Sequence, residues 1–395
     1  MARGGVFSPF ANPRFALYFS GQVVANTGAW FQNLTLALVI LGVTGSAQAL
    51  SGVTVAQFLP LVLLSVPAGR LADRVRPRTI MLCTSALSCG VIVVLAFAAS
   101  VPDPSIWLIY ALIAALGTVA TFERVAAQAI IFEIVGAAGL ARAVALSTIA
   151  LASARSIGPG LAGLAFTGLG ARLCMLVYAG SYLLVLVSVL LIRPSRLHPR
   201  TRTAPDGPPP PSPMRNRTFL TLIIVNAVVA LLCLNLMLVL TSATSLDHAG
   251  DATAVGLVHG LNAVGAILGG VLAAARAQAG ARSLILGCLL LGVSLGVNAA
   301  VPTLGAFLAV APLLGLGVGY YQGLLQSAAQ SSVAPAQLGR AMSLVMLTSY
   351  GVAPFGALLA GRIIDASGGR TMLGIGACAA LACSVFVLLR TRRAA

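Results

Sequence analysis

The sequence predicts an all-α membrane protein with twelve transmembrane helices in two pseudo-symmetric six-helix bundles. Three observations predict it. First, 59% of the 395 residues are apolar and only 8% are charged, against roughly 45–50% and about 25% in an average soluble protein. Second, apolar runs long enough to span a bilayer recur along the whole chain. Third, the chain repeats itself at an offset of half its length. The first observation excludes a soluble enzyme, whose surface could not be covered by so few charges. It also excludes disorder, since disordered chains lack apolar residues.

The runs lie near 15–43, 47–69, 79–100, 105–131, 143–168, 173–192, 218–243, 254–275, 283–301, 304–330, 341–364 and 371–389. The first is too long for a cleaved signal, and it carries Gln22, Asn26 and Trp30 rather than a short uniform apolar core. Arg residues concentrate in alternate connections: Arg70, Arg74, Arg76 and Arg78 after the second run, Arg142 after the fourth, Arg340 after the tenth. The intervening connections hold Arg172 and Arg370 with Asp103, Asp247 and Asp251. By the positive-inside rule both termini are cytoplasmic, in a multi-pass protein of the cytoplasmic membrane. The net charge of +16 then reflects topology, and no nucleic-acid partner is expected.

Segment 193–217 interrupts the pattern with six Arg and eight Pro, four of them consecutive from Pro208 to Pro211. Such a run excludes helix and favours an extended chain. It divides the protein into bundles 1–192 and 218–395, with 193–217 as a cytoplasmic linker. The halves are related: Val135, Leu140, Arg142, Ala143 and Leu146 recur as Val333, Leu338, Arg340, Ala341 and Leu344, all at an offset of 198, and Gln128 recurs as Gln326. Two such repeats imply a transporter with a midplane site.

The connection after the second run reads Gly69-Arg70-Leu71-Ala72-Asp73-Arg74-Val75-Arg76-Pro77-Arg78. Gly69 permits close helix approach, Asp73 can accept hydrogen bonds from a helix N-terminus, and Arg74 and Arg78 can pair with carboxylates or phosphates. The stretch resembles the helix 2–3 loop of the major facilitator superfamily, matching at Gly69, Leu71, Asp73, Arg74 and Arg78 and departing at Arg76 and Pro77. The resemblance implies a cytoplasmic gate latch; a plain positive-inside loop is the alternative. Arg155, Gly158, Pro159 and Gly163, with Gly21-Gln22, Gly28-x-Trp30-x-Gln32, Thr44-Gly45-Ser46 and Gly339-Arg340-Ala341-Met342-Ser343-Leu344, are similar to the branch that includes the enterobactin exporter and related drug and macrolide exporters. In the superfamily a Gly-Pro motif in helix 5 is associated with antiport. Its physical reading is a kink at Pro159 with tight packing at Gly158 and Gly163.

Ionisable groups inside spans are costly and mark function or pairing. Glu123 and Arg124 fall in the fourth run and Arg155 in the fifth. Neighbouring antiparallel helices would bring Glu123 and Arg155 together, either as a proton-carrying carboxylate with its cation or as a static ion pair. Arg124 and Gln128 share a helix face and correspond, at the repeat offset, to Gln322 and Gln326. On the first helix Gln22, Asn26 and Asn33 lie within about 40° of one another, with Trp30 at the edge. With Tyr321, Gln322 and Gln326 they are expected to line a substrate cavity suited to a bulky amphiphile. His259 is expected to make a helix contact rather than relay protons.

The seven cysteines form no CxxC or metal-ligand spacing, and no nucleophile–base set or phosphate-binding loop occurs. No metal, cofactor or enzymatic activity is therefore expected. The expected partners are protons, a small-molecule substrate and the lipid bilayer, with a single copy sufficing. The expectation is proton-coupled efflux of a drug, antibiotic or siderophore by alternating access. An uptake symporter and a non-transporting scaffold or sensor are the alternatives.

Overall fold

A computed structural model describes residues 8–192, 212–276, 281–334 and 337–392. Most of the linker lies outside the described residues. Among those described the chain is helical and has no strand. The helices are α1 (Pro13–Thr44), α2 (Ala47–Arg74), α3 (Pro77–Ala98), α4 (Ile106–Leu191), α5 (Arg217–Leu232), α6 (Leu236–Ser242), α7 (Ala252–Ala274), α8 (Ala281–Ala300), α9 (Leu304–Ser331), α10 (Leu338–Met346), α11 (Ala353–Ser367) and α12 (Gly369–Arg392). Eleven helical stretches among the described residues are long and apolar enough to cross a membrane.

The 86-residue α4 is not one rod; a straight helix of that length would extend about 130 Å. Gly136 (φ 67°) and Gly170 (φ 72°) leave the helical conformation and divide it into three stretches. Connections expected over several residues are thus reduced to single-glycine breaks. Flanking Ala and Leu favour helix up to the glycine itself, and only glycine adopts these dihedrals without a steric cost. One of the eleven membrane-length stretches, Gly158–Leu191, contains the Gly170 break.

The chain forms two compact units, Met1–Val39 with Ala56–Ala204, and Ile40–Val55 with Pro205–Ala395. The core of the first gathers Phe15, Tyr18, Met81, Ile130, Ile134, Val185 and Val189 from α1, α3 and α4. Phe10, Phe15 and Phe19 close it with ring centroids 5.0–5.6 Å apart. Arg78 donates from Nε to Ile192 O (3.0 Å) and from Nη2 to Leu190 O (3.1 Å). It therefore caps the carbonyl end of α4, where unpaired oxygens concentrate negative charge. That differs from the carboxylate or phosphate pairing expected of it.

In the second unit α7 and α9 meet at backbone contact. A Cβ on Gly265 would lie 1.8 Å from Pro312 O, and one on Gly315 only 1.7 Å from Asn262 O. Gly269 and Gly319 repeat the arrangement one turn on, against Leu316 O and Ala266 O. Each helix thus presents a Gly-xxx-Gly face to the other, a geometry suited to apolar surroundings where close packing drives association.

Two spans of this unit are interrupted. Between α5 and α6, Asn235 turns its Nδ2 back to Ala230 O and Leu231 O (3.4 Å each), so a side chain competes for helix carbonyls. Between α10 and α11 lies a π turn, Leu347–Gly351, followed by Pro354, which cannot donate to the preceding turn. The buried Asn226 of α5 holds that turn through Thr348 Oγ1 (2.8 Å) and Ser349 Oγ (3.0 Å).

Gly170 and Gly368, 198 residues apart, both have positive φ, and a helical stretch begins just beyond each. Arg172 and Arg370 follow at the same offset. Arg172 lies 4.2 Å over the Phe97 ring near the end of α3, and Arg370 donates to Ala299 O and Ala300 O at the end of α8. Asp247 accepts from Arg370 N (2.8 Å) at the start of α12.

Asp365, near the end of α11, acts as a remote cap for α2. Its carboxylate accepts from Ser46 Oγ (2.5 Å), Ala47 N (2.6 Å) and Gln48 N (3.1 Å), satisfying amides that have no partner within α2. Gly361 allows the approach, since a Cβ there would stand 2.9 Å from Gln48 Cα. Asp365→Ala is expected to cost about 1 kcal/mol and to lower the thermal unfolding midpoint by a few degrees. An unchanged midpoint would show the cap to be dispensable.

Candidate functional site

The ionisable site sits within the first unit, on the first stretch of α4. Glu123 is 9% exposed and accepts a hydrogen bond from the Tyr182 hydroxyl at Oε2 (3.1 Å). Tyr182 comes from the last stretch of α4, brought alongside by the breaks at Gly136 and Gly170. Tyr178, one turn before it, packs edge-to-face on Tyr182 with centroids 5.3 Å apart. Tyr18 of α1 lies close enough to feel the Glu123 charge. A buried carboxylate is thus bonded to one tyrosine with two more nearby, and Arg124 is the neighbouring cation.

Beside this cluster is a cavity of about 50 Å³, lined by Gln32, Gln57, Ser88, Thr121, Arg124, Tyr178 and Tyr182 among others. Its lining is mixed, with Phe58, Leu61, Ile113 and Leu116 beside the polar side chains, and it has room for a few waters. A drug-sized ligand needs several hundred Å³. Arg124 is exposed, and no hydrogen bond of its guanidinium occurs among the described residues. One residue along, Glu123 is buried, as the 100° step between successive helix positions requires.

Glycines clear the space around the tyrosines. A Cβ on Gly28 of α1 would lie 2.7 Å from Ser181 Oγ and 2.9 Å from Tyr178 Cδ2. One on Gly117 would lie 2.4 Å from Gln57 O. The helix 5 motif has a specific neighbour: a Cβ on Gly158 would stand 2.7 Å from Trp30 Cβ, Cγ and Cδ1. Gly158, Pro159 and Gly163 are all buried, and Gly158 is the one that seats the Trp30 indole.

The remaining expected residues are placed as follows. Gln22, Asn26, Trp30 and Asn33 are half-buried on α1, and the buried Gln22 Nε2 is without a hydrogen-bond partner. The side chains of Asp73, Gln128 and Arg155 lie outside the described residues, so the Glu123–Arg155 pairing does too. Arg74 is exposed. A Cβ on Gly69 would meet nothing described within 4 Å; close helix approach does not explain that glycine here. In the second unit Tyr321 is fully buried with its hydroxyl unpartnered, near Cys233, Cys288 and Cys383. Gln322 is half-buried, and Gln326 is exposed and donates to Met342 Sδ (3.4 Å). His259 is buried and bonds Thr241 Oγ1 at 3.0 Å, a helix contact. Among the described residues no group of His, Cys, Asp and Glu has the spacing to hold a metal.

Sequence reasoning missed Tyr178, Tyr182 and Gln57. The signal available was the spacing of Tyr178 and Tyr182, i and i+4 on one face of an apolar helix. Tyrosine in such a setting needs a partner for its hydroxyl, and Glu123 is the acceptor.

Residues 4–207 match the family described as transmembrane secretion effector. No curated protein matches the chain. Among solved structures, a POT family transporter in complex with a thioalcohol-conjugated peptide aligns over 96% of each chain, with TM-score 0.76 and 11% identity. A bacterial homologue of the human lysosomal transporter Spinster, inward-facing and occupied, aligns over 98% of this chain and 97% of its own, with TM-score 0.73 and 16% identity. A bacterial homologue of the iron transporter ferroportin, inward-facing, covers 95% and 98%, with TM-score 0.71 and 16% identity. At these identities the likeness concerns the fold. With the family match over more than half of the sequence, the chain belongs to the transmembrane secretion effector family of major facilitator transporters.

Proposed function

We propose that the protein is a proton-coupled exporter of a small amphiphilic compound, a drug, antibiotic or siderophore, in the branch that includes enterobactin and macrolide exporters. The observation that carries this reading is Glu123. It is a carboxylate buried inside a membrane-spanning helix, held by a tyrosine hydroxyl and adjoining a small cavity of mixed lining. Such a group is retained in a span at a cost of several kcal/mol, and reversible protonation gives it a use. The secretion family supports export.

In this reading the breaks at Gly136 and Gly170 give twelve helices, in bundles 1–192 and 218–395 joined by the 193–217 linker, with both termini cytoplasmic. The bundles alternate access to a site lined by Gln22, Asn26, Trp30, Asn33, Arg124, Gln128, Tyr321, Gln322 and Gln326, and one copy suffices. Asp73 with Gly69, Arg74 and Arg78 latches the cytoplasmic side. Uptake of a charged metabolite would call for a clamp of several charges, whereas one guanidinium, Arg124, lines the cavity described above.

The test is an accumulation and tolerance screen in a strain expressing the protein, against amphiphilic antibiotics, dyes and siderophores. Lower accumulation that a protonophore reverses is expected for at least one compound. Raised accumulation would replace export by uptake. Asp73→Asn keeps shape and removes charge, so it should leave inserted protein with transport reduced roughly tenfold, the worth of one charge-assisted hydrogen bond. Wild-type transport would reduce the loop to a topology signal.

A further inference from the structure

We infer that Tyr182 is the proton relay between the cavity and Glu123. This rests on the reading of Glu123 as the proton carrier. Glu123 is not among the residues lining the cavity, whereas Tyr178 and Tyr182 are. The carboxylate is reached from that side through one described contact, the Tyr182 hydroxyl at 3.1 Å from Oε2. A phenol is suited to this position because one oxygen both donates and accepts. Tyr182 donates to Glu123, which leaves its lone pairs for water in the cavity. The cavity volume of about 50 Å³ suits water and excludes a drug-sized substrate. The proton and the substrate therefore approach by different surfaces.

The step balances without any further reactant. A hydronium in the cavity passes a proton to the Tyr182 oxygen as the existing Tyr182 O–H bond breaks and its proton forms an O–H bond on Glu123 Oε2. Water, neutral tyrosine and a neutral carboxylic acid result. The reverse sequence releases the proton. Tyr178 packs edge-to-face against the Tyr182 ring, and Gly28 keeps room for the Tyr178 ring.

The experiment needs no transported substrate. Protonation of Glu123 is followed by time-resolved infrared absorption of its carboxylic acid C=O band after a pH jump, on the full-length protein in liposomes, with Glu123→Gln identifying the band. Tyr182→Phe keeps the ring and should slow appearance of the band by about a hundredfold, the lower range for a positioned proton-transfer group, with circular dichroism and thermal midpoint unchanged. Tyr182→Gln restores a hydrogen-bond donor but cannot pass a proton on. It should stay slow, and it also serves as the informative variant if Tyr182→Phe does not fold. Wild-type rates in Tyr182→Phe, or recovery in Tyr182→Gln, would overturn the relay and leave Glu123 as carrier. Absence of any band lost in Glu123→Gln would overturn the carrier reading and the relay with it.

Discussion

Gly315→Ala is expected to destroy the packing of the second unit. One added methyl would stand 1.7 Å from Asn262 O and 2.7 Å from its carbonyl carbon. Both are backbone atoms, so no rotamer change relieves the clash and α7 must move from α9. Overpacking of this kind costs about 3 kcal/mol, and a membrane bundle has no hydrophobic effect between its helices to offset the loss. Gly265, Gly269 and Gly319 make the same contact from both sides, so strain at one position spreads along the seam. Expression should fall and the purified fraction should unfold at a clearly lower temperature. Gly270→Ala is the matched control: its Cβ would meet nothing described within 4 Å, and alanine is the better helix former. Equal stability of the two variants would show that the helices separate at little cost.

Glu123→Gln is expected to abolish uphill transport driven by a pH gradient while preserving substrate binding and substrate-driven exchange. Glutamine has the size of the protonated acid and can still bond Tyr182, but it cannot titrate. A purely structural Glu123 predicts another outcome. Replacing a buried carboxylate that balances a cation leaves that cation uncompensated, at several kcal/mol, so stability and exchange would fall together with coupling. Thermal midpoint and flux measured on one preparation separate the two. Full proton-driven flux at normal stability would eliminate both roles and direct the search to Asp365 or Asp73.

Much of the fold was legible because membrane helices announce themselves by length and composition. The boundaries were less so. The Gly136 and Gly170 breaks are single residues without the Pro or polar cluster that marks a turn, and the positive φ that makes them breaks is a backbone property. The Gly-xxx-Gly faces of α7 and α9 were present in the sequence as Gly265/Gly269 and Gly315/Gly319. They are hard to distinguish there from the other glycines of a chain with 42. At the site, Glu123 and Arg124 stood out because charge is rare in spans. Tyr182 did not, because its role depends on α4 folding back by two stretches to bring residue 182 beside residue 123. The role of Asp365 was equally hidden, because its capping of α2 joins positions more than three hundred residues apart in sequence.

The most direct test of the central claim, export coupled to protons, uses everted membrane vesicles acidified inside by respiration and monitored with a pH-sensitive dye. The wild-type protein should dissipate part of the gradient when a compound identified by the accumulation screen is added, and Glu123→Gln should not. Movement of that compound into the vesicles with no change in the pH gradient would contradict the account.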